Sequence, residues 1–155
     1  MPMPNEYQRA GEIFDRFLED ARVALDLTTR NQTYTTVQGV LFAFRRRLTV
    51  PEGLRFANEL PVVLRALFVK DWDVDEVPVA FSSREEMTKE VQALRRHHNF
   101  SPANAIEGVA RALRAQVDGK AFDAMLETFP DGAKAFWEGG EGRRLIPGKR
   151  KRDRD

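Results

Sequence analysis

The sequence predicts an all-α protein in which a duplicated four-helix unit packs as one compact helical domain with approximate two-fold internal symmetry. Apolar residues recur at spacings of three and four along most of the chain, which is the period of one helix face. No segment alternates with period two, so no strand is predicted. The chain also contains an internal repeat, because the pattern of Val37 to Phe68 returns without a gap at Ile106 to Trp137.

The repeat keeps its apolar positions in register, although few residues are identical. Ile106 lies 69 positions after Val37, and the clearest aligned pairs are Gly39 with Gly108, Leu60-Pro61 with Phe129-Pro130, and Phe68 with Trp137. A unit of this length exceeds the roughly 20–50 residues of ordinary solenoid repeats, so a duplicated half-domain fits better. We predict one all-helical domain over residues 1–138, with repeat one at about 5–72 and repeat two at about 82–138.

The first two helices are separated by a polar break. The first helix runs from about Asn5, a predicted N-cap, to Leu27. Residues 28–33 interrupt its period, and the second helix then carries an apolar stripe from Val37 to Leu48. Gly39 lies inside this helix and recurs as Gly108, which indicates the close approach of another backbone.

Three consecutive arginines, Arg45, Arg46 and Arg47, follow the stripe of the second helix. Successive side chains on a helix point about 100° apart, so the three are expected to fan around the helix end. Cations in a last turn also interact favourably with the helix dipole.

Proline positions define the next two helices. Pro51 follows Thr49 closely, which is typical of a helix start with proline in the first turn. Pro61 lacks a backbone N–H and would clash inside a continuing helix, so we predict a break near Leu60 and a short helix from Pro61 to about Lys70. The connector at residues 71–82 is acidic, but it also carries Trp72, Val74, Val77 and Phe81, so we expect it to pack across the helices.

The second half repeats this order. Ser82 and Ser83 each precede a glutamate by three residues, the spacing of a capping box, and open the next helix. Ser101-Pro102 predicts another helix start, with serine as N-cap and proline at the first helical position. Two further apolar stripes follow, divided at Pro130 and ending near Trp137.

Composition places the chain among soluble globular proteins. Of its 155 residues, 42% are apolar and 32% are charged, and none is cysteine, which excludes disulfides, thiolate metal sites and a thiol nucleophile. No run of about 18 apolar residues and no signal-peptide pattern is present. We therefore expect a cytoplasmic protein without a membrane contact.

The net charge of +1 is unevenly distributed. Residues 139–155 contain seven basic and three acidic side chains, so this predicted disordered tail carries +4 against −3 on the rest of the chain. Within the tail, a short basic run could bind nucleic acid or another polyanion. Its residues are Lys149, Arg150, Lys151 and Arg152.

Several of these features together resemble a known family. They are the Phe-Leu-x-x-Ala opening at Phe17 to Ala21, the stripe of the second helix, Leu60-Pro61, Trp72 and the repetition at Phe129-Pro130. This combination is similar to the bacterial domain-of-unknown-function family 2267 over roughly residues 5–137. The resemblance implies an all-helical tandem fold in a bacterial, cytoplasmic setting. It supplies no catalytic or binding residues, because no function is established for the family.

No catalytic, cofactor-binding or metal-binding residue is predicted, and no cofactor. The only histidines, His97 and His98, are adjacent, whereas paired helical metal ligands are three or four residues apart. The serines are explained as helix caps, and no glycine-rich phosphate loop precedes a helix.

Three functions from different classes remain. The favoured one is a non-enzymatic protein-interaction module, which could also self-associate. The second is weak, non-specific binding of a polyanion or nucleic acid through the basic tail. The third is a small-ligand carrier or enzyme with a pocket between the repeats. A contiguous exposed apolar patch would favour the first, and a deep polar cleft with converging carboxylates the third.

Overall fold

The computed structural model describes residues 2–94 and 101–139, and over these ranges the protein is all-α, as the sequence predicts. The described residues form helices and loops without a strand. In chain order the helices are Asn5–Gln8 (α1), Ala10–Leu25 (α2), Arg30–Arg45 (α3), Val50–Asn58 (α4), Val62–Val69 (α5), Arg84–Ala93 (α6), Ala105–Arg114 (α7), Gly119–Leu126 (α8) and Ala133–Phe136 (α9).

The first predicted helix is divided in two. Arg9 separates α1 from α2, with φ −103° and ψ 11° outside the helical region. Asn5 is the first residue of α1 and not its cap, because Pro4 occupies the cap position and its carbonyl accepts the N–H of Tyr7 at 3.0 Å. The prediction of an asparagine cap at this end was therefore wrong.

Helix α3 begins earlier than the apolar stripe indicates. Thr29 caps it, since its hydroxyl accepts the Gln32 N–H while the Gln32 side chain accepts the Thr29 N–H, a complete capping box. Two buried threonines are accommodated inside the helix because their hydroxyls donate to carbonyls of its own backbone. Thr33 donates to the Thr29 carbonyl at 2.9 Å, and Thr36 donates to the Gln32 carbonyl at 3.0 Å.

Two of the helix bounds keep the 69-residue offset between the halves, whereas the starts of α3 and α7 do not. Helices α3 and α7 end at Arg45 and Arg114, and α4 and α8 begin at Val50 and Gly119. The caps are also equivalent, because Thr49 accepts the backbone N–H of Glu52, and Asp118 accepts those of Lys120 and Ala121. Pro61 and Pro130 both lie in the breaks that follow. An axis relating the two halves stays a prediction.

The two predicted serine caps of the second half have different outcomes. Ser83 caps α6 and accepts the Glu86 N–H at 3.1 Å, as predicted. Ser101 does not cap α7, which begins four residues later, at Ala105. Its hydroxyl is instead buried 2.9 Å from the hydroxyl of Thr36, so a contact between the halves replaces the predicted local one.

Helices of the first half pack closely on helices of the second half. Helix α2 packs on α7, and α3 packs on α6. A Cβ atom at Gly39 would lie 3.0 Å from the backbone oxygen of Val91 in α6, so the predicted close approach of a backbone is confirmed there. At Gly108 the neighbouring atoms belong to a side chain, with the Leu25 Cγ atom of α2 at 2.9 Å from such a Cβ.

Replacing Gly39 by leucine is expected to lower the free energy of unfolding by about 1–3 kcal/mol, because the Val91 backbone cannot retreat without separating α3 from α6. Gly11 is the matched control, since a Cβ there would meet no atom within 4 Å. Gly11→Leu is expected to be neutral or to gain up to about 1 kcal/mol of helix propensity. Urea denaturation of both variants measures the difference, and equal stabilities would contradict the close-approach interpretation.

One aromatic cluster joins both halves in the core. Phe44 of α3 is buried at its centre. Its ring centroid lies 4.7 Å from that of Phe56 in the first half, and 5.0 Å and 5.2 Å from those of Phe136 and Trp137 in the second. Leu113, its partner in the repeat, is also buried. The two halves therefore share this core.

Candidate functional site

The three arginines after the second apolar stripe have three different environments. Arg45 and Arg47 are buried, whereas the side chain of Arg46 is half exposed. The predicted fan is therefore present, but two of its members point into the protein.

Arg45 binds the carboxyl end of α5. Its Nη1 atom donates to the carbonyls of Phe68 at 2.8 Å and Lys70 at 2.7 Å, which have no partner within the helix. The guanidinium lies 4.1 Å from the ring centroid of Phe42. Burial lowers the pKa of Arg45, while the charges of Glu76 and Asp71 oppose that shift.

Arg114 makes the equivalent contact in the second half. It lies 69 positions after Arg45, and its Nε atom donates to the carbonyl of Trp137 at 2.6 Å. Trp137 occupies the position in the second repeat that Phe68 occupies in the first. The Nη2 atom of Arg114 also donates to Asp123 at 2.9 Å. Each half thus uses an arginine at the same position to hold its last helix.

Arg47 and Glu90 form an ion pair between the halves. Arg47 Nη2 donates to Glu90 Oε2 and Arg47 Nη1 donates to Glu90 Oε1 at 3.1 Å, while the Arg47 side chain is only 2% exposed. Arg46 adds a second guanidinium at 3.1 Å from the same carboxylate. Burial acts to raise the pKa of Glu90, but these two arginines together hold it below its ordinary value.

The connector between α5 and α6 is anchored at three places. At its start, Trp72 packs edge-on against Phe68 and fills the space where a side chain at Gly53 would lie, with Trp72 Cζ3 2.6 Å from such a Cβ. In the middle, Arg46 Nε donates to Glu76 Oε1 at 3.3 Å, and the backbone carbonyl of Arg46 accepts the Val79 N–H at 3.2 Å.

The third anchor is Phe81. Its ring lies 5.9 Å from Phe44 and 6.4 Å from Phe136, and its Cβ is packed against Gly132. Gly132 has φ +98°, a conformation that favours glycine, and a side chain there would meet Phe81. The expectation that the connector packs across the helices is therefore confirmed.

Between these anchors the connector presents apolar side chains to solvent. Val74 is 59% exposed and Val77 is 79% exposed, and Trp72 beside them is partly exposed. We call these three side chains the connector ridge. The same segment carries four exposed carboxylates, those of Asp71, Asp73, Asp75 and Glu76, and the last of them is paired with Arg46. Asp73 also shapes the ridge, because its carboxylate accepts the Asp75 N–H at 3.1 Å.

Two shallow clefts lie between the halves. One, of about 260 Å³, opens between α3 and α6 beside Glu90, over a floor that includes Gly39 and Phe42. The other, of about 320 Å³, lies between the break at Pro61 and the segment from Gln116 to Asp118. The first volume is below the roughly 300–1,000 Å³ that small-molecule sites occupy, and the second is near the lower limit of that range.

Most of the candidate functional residues from the sequence analysis are not part of the connector ridge. His97, His98 and the basic run at Lys149, Arg150, Lys151 and Arg152 lie outside the described residues. Trp137 is fully buried, and Trp72 is partly exposed. Among residues 2–94 and 101–139, no three His, Cys, Asp or Glu side chains are grouped so that they could hold a metal ion. In the same ranges, no helix has the length and apolar character of a membrane span.

Sequence reasoning missed the Arg47–Glu90 pair and the exposure of the ridge. The two residues of the pair are 43 positions apart, and no local period connects them. The composition of the connector did draw attention to Val74 and Val77, but nothing in the pattern indicates which apolar residues of a connector face solvent.

Comparison with known proteins gives one family match. A family model described as an uncharacterized conserved protein, DUF2267, matches residues 14–136. The match spans most of the chain and includes both halves of the repeat. No curated protein matches the chain.

Proposed function

Because the chain belongs to the DUF2267 family of uncharacterised conserved proteins, we propose a function from its own geometry, that of a non-enzymatic protein-interaction module acting in the bacterial cytoplasm. The observation that carries this proposal is the connector ridge. Exposed apolar residues that occur singly are ordinary on a protein surface. Here Val74 and Val77 are three positions apart on one segment that three anchors hold in place.

The anchoring supports binding by reducing its entropic cost. A loop that is already held in one conformation loses little freedom when a partner docks. The anchors at Trp72, Glu76 and Phe81 supply this order before any partner arrives. Trp72 adds a large ring of the type that dominates binding energy in protein interfaces.

The charges around the ridge define the partner's chemistry. The exposed carboxylates of Asp71, Asp73 and Asp75 belong to the same segment as the apolar side chains, so the complementary surface pairs apolar residues with lysine or arginine. Rim charges of this kind accelerate association and exclude acidic partners more than they add affinity. The partner is therefore a basic protein segment with at least one apolar side chain.

Capture experiments with full-length protein test the ridge. The double variant Val74→Ser, Val77→Ser is expected to capture at least about tenfold less of a protein that the wild type captures, because apolar contacts of the ridge are removed. Val23→Ser is the matched control, since Val23 of α2 is 58% exposed and lies outside the ridge. Quantitative mass spectrometry of captured proteins measures the effect. Equal retention by the double variant and the control would overturn the proposal.

A second candidate function is polyanion binding by Lys149, Arg150, Lys151 and Arg152. The uneven charge favours it, since residues 139–155 carry +4 on a chain whose remainder is negative. Four neighbouring cations release few counterions, so such binding would be weak, non-specific and sensitive to salt. The third candidate, a small-ligand carrier, would use one of the two clefts and is less favoured because both are small and open.

A further inference from the structure

The connector ridge also fits a segment of this same chain. We propose that the basic C-terminal segment, residues 143–152, binds the connector ridge of the same molecule and covers it. This inference rests on the proposed function, because it names an occupant for the same surface. It goes further because it identifies that occupant as a segment of the same chain.

The segment has the chemistry that the ridge requires. Leu145 and Ile146 supply apolar side chains, and six cations flank them: Arg143, Arg144, Lys149, Arg150, Lys151 and Arg152. The ridge offers Val74 and Val77 in a segment that also carries the exposed carboxylates of Asp71, Asp73 and Asp75. The C-terminal segment thus combines an apolar pair with cations, and the ridge combines an apolar pair with carboxylates. Apolar contact and charge attraction therefore favour the same docking.

The charge of the whole molecule favours this contact. The described residues contain 21 acidic and 16 basic side chains, a net charge of −5. Residues 140–155 contain seven basic and three acidic side chains, a net charge of +4. Two arginines at positions 95 and 96 account for the remaining charge of the chain, which totals +1. The segment is therefore attracted to the helical body to which it is attached.

The end of the described chain lies beside the end of the connector. A Cβ at Gly139 would be 3.5 Å from the carbonyl oxygen of Glu107 in α7. The Glu107 side chain in turn contacts Arg84 Nε at 3.4 Å, and Arg84 is the first residue of α6. Gly139, the last described residue, therefore lies beside the place where the connector enters α6.

The distances allow docking within one molecule. Val77 is seven residues before Arg84, so it lies within about 25 Å of it. Ile146 is seven positions after Gly139 and can lie up to about 25 Å from it, and Arg152, thirteen positions after Gly139, up to about 45 Å. A tether of this length gives an effective concentration in the millimolar range, so even a weak contact is populated within one molecule.

Cysteine cross-linking of the full-length protein tests this docking directly, because the natural chain contains no cysteine. The pair Val77→Cys, Ile146→Cys is treated with a short bismaleimide and compared with the pair Val23→Cys, Ile146→Cys. Val23 is a fair control because it is exposed and also within reach, since its neighbour Ala24 accepts a hydrogen bond from Asn104, three residues before Glu107. We expect intramolecular cross-linking to be at least about tenfold faster in the Val77 pair at low salt.

The salt dependence of the cross-linking rate and the mass of the product show whether the contact is electrostatic and intramolecular. Raising the salt concentration to about 1 M shortens the screening length to about 3 Å, so the advantage of the Val77 pair is expected to fall severalfold. Equal rates for the two pairs would overturn the docking. A product with the mass of two chains would place the segment on a second copy and would also overturn it.

The capture experiment keeps this outcome separate from the proposed function. If the cross-linking rates are equal while Val74→Ser, Val77→Ser still loses its captured protein, the ridge binds a foreign partner and only the intramolecular docking is wrong. If the double variant loses nothing while the Val77 pair cross-links rapidly, the proposed function is wrong and the ridge serves only the chain's own segment.

Discussion

Truncation of Phe44 to alanine is expected to lower the free energy of unfolding by about 3–5 kcal/mol, the cost typical of removing a buried phenylalanine and leaving a cavity. Phe44 is fully buried and its ring contacts aromatic rings of both halves. No single neighbour can fill the space, because the surrounding rings are themselves held by different helices. Many domains have a total stability of only about 5–15 kcal/mol, so the variant would be marginal.

Urea denaturation monitored by circular dichroism measures this loss. Leu113→Ala, at the equivalent position of the repeat, is expected to cost about 2–5 kcal/mol for the same reason. Tyr7→Ala is the control, because Tyr7 of α1 is exposed and its removal should change the stability by less than about 0.5 kcal/mol. If Phe44→Ala had the same free energy of unfolding as the control, the assigned core would be wrong.

Replacing Glu90 by alanine is expected to cost about 3 kcal/mol, although Glu90 itself is not in the apolar core. The substitution leaves the buried guanidinium of Arg47 without its carboxylate, and breaking a buried pair typically costs about 3–5 kcal/mol. The Glu90 side chain is 27% exposed, which places the expected value at the lower end. Glu85→Ala is the matched control on the same helix, since its pair with Lys89 is exposed and worth at most about 1 kcal/mol.

The same pair predicts a dependence of stability on pH. The pKa of Glu90 is lower in the folded protein than its ordinary value of 4.5, because the hydrogen bonds and charges of Arg47 and Arg46 outweigh the effect of burial. The stabilisation is therefore complete above about pH 4.5 and is lost as the pH falls through the folded pKa. The difference between wild type and Glu90→Ala should shrink in acid, and a constant difference from pH 7 to pH 3 would contradict this assignment.

Many of the local features could be predicted from the sequence. The helix starts at Thr49 and Ser83 and the break at Pro61 follow from hydrogen bonds, or their absence, among residues within a few positions of one another. The predictions that failed have the same origin. The local pattern assigned Ser101 to a helix cap, but its hydroxyl contacts Thr36, 65 positions away.

The candidate site was predicted only in part. Composition indicated that the connector is acidic and carries apolar residues, because both properties belong to the chain itself. The exposure of Val77 could not be inferred, since Leu54 and Tyr7 lie at the apolar spacing of their helices and are also exposed. Exposure depends on which other element covers a side chain, and a local period does not contain that information.

The sequence by itself determined the helical class, the 69-residue offset and the positions where α4, α5 and α6 begin, because backbone hydrogen bonding and caps are decided by near neighbours. Only the tertiary structure decided which of three consecutive arginines are buried and that Glu90 neutralises one of them. It also decided that three anchors leave Val74 and Val77 facing solvent. These outcomes depend on the packing of distant helices, where contact energies are set by the elements that meet in space and not by their order in the chain.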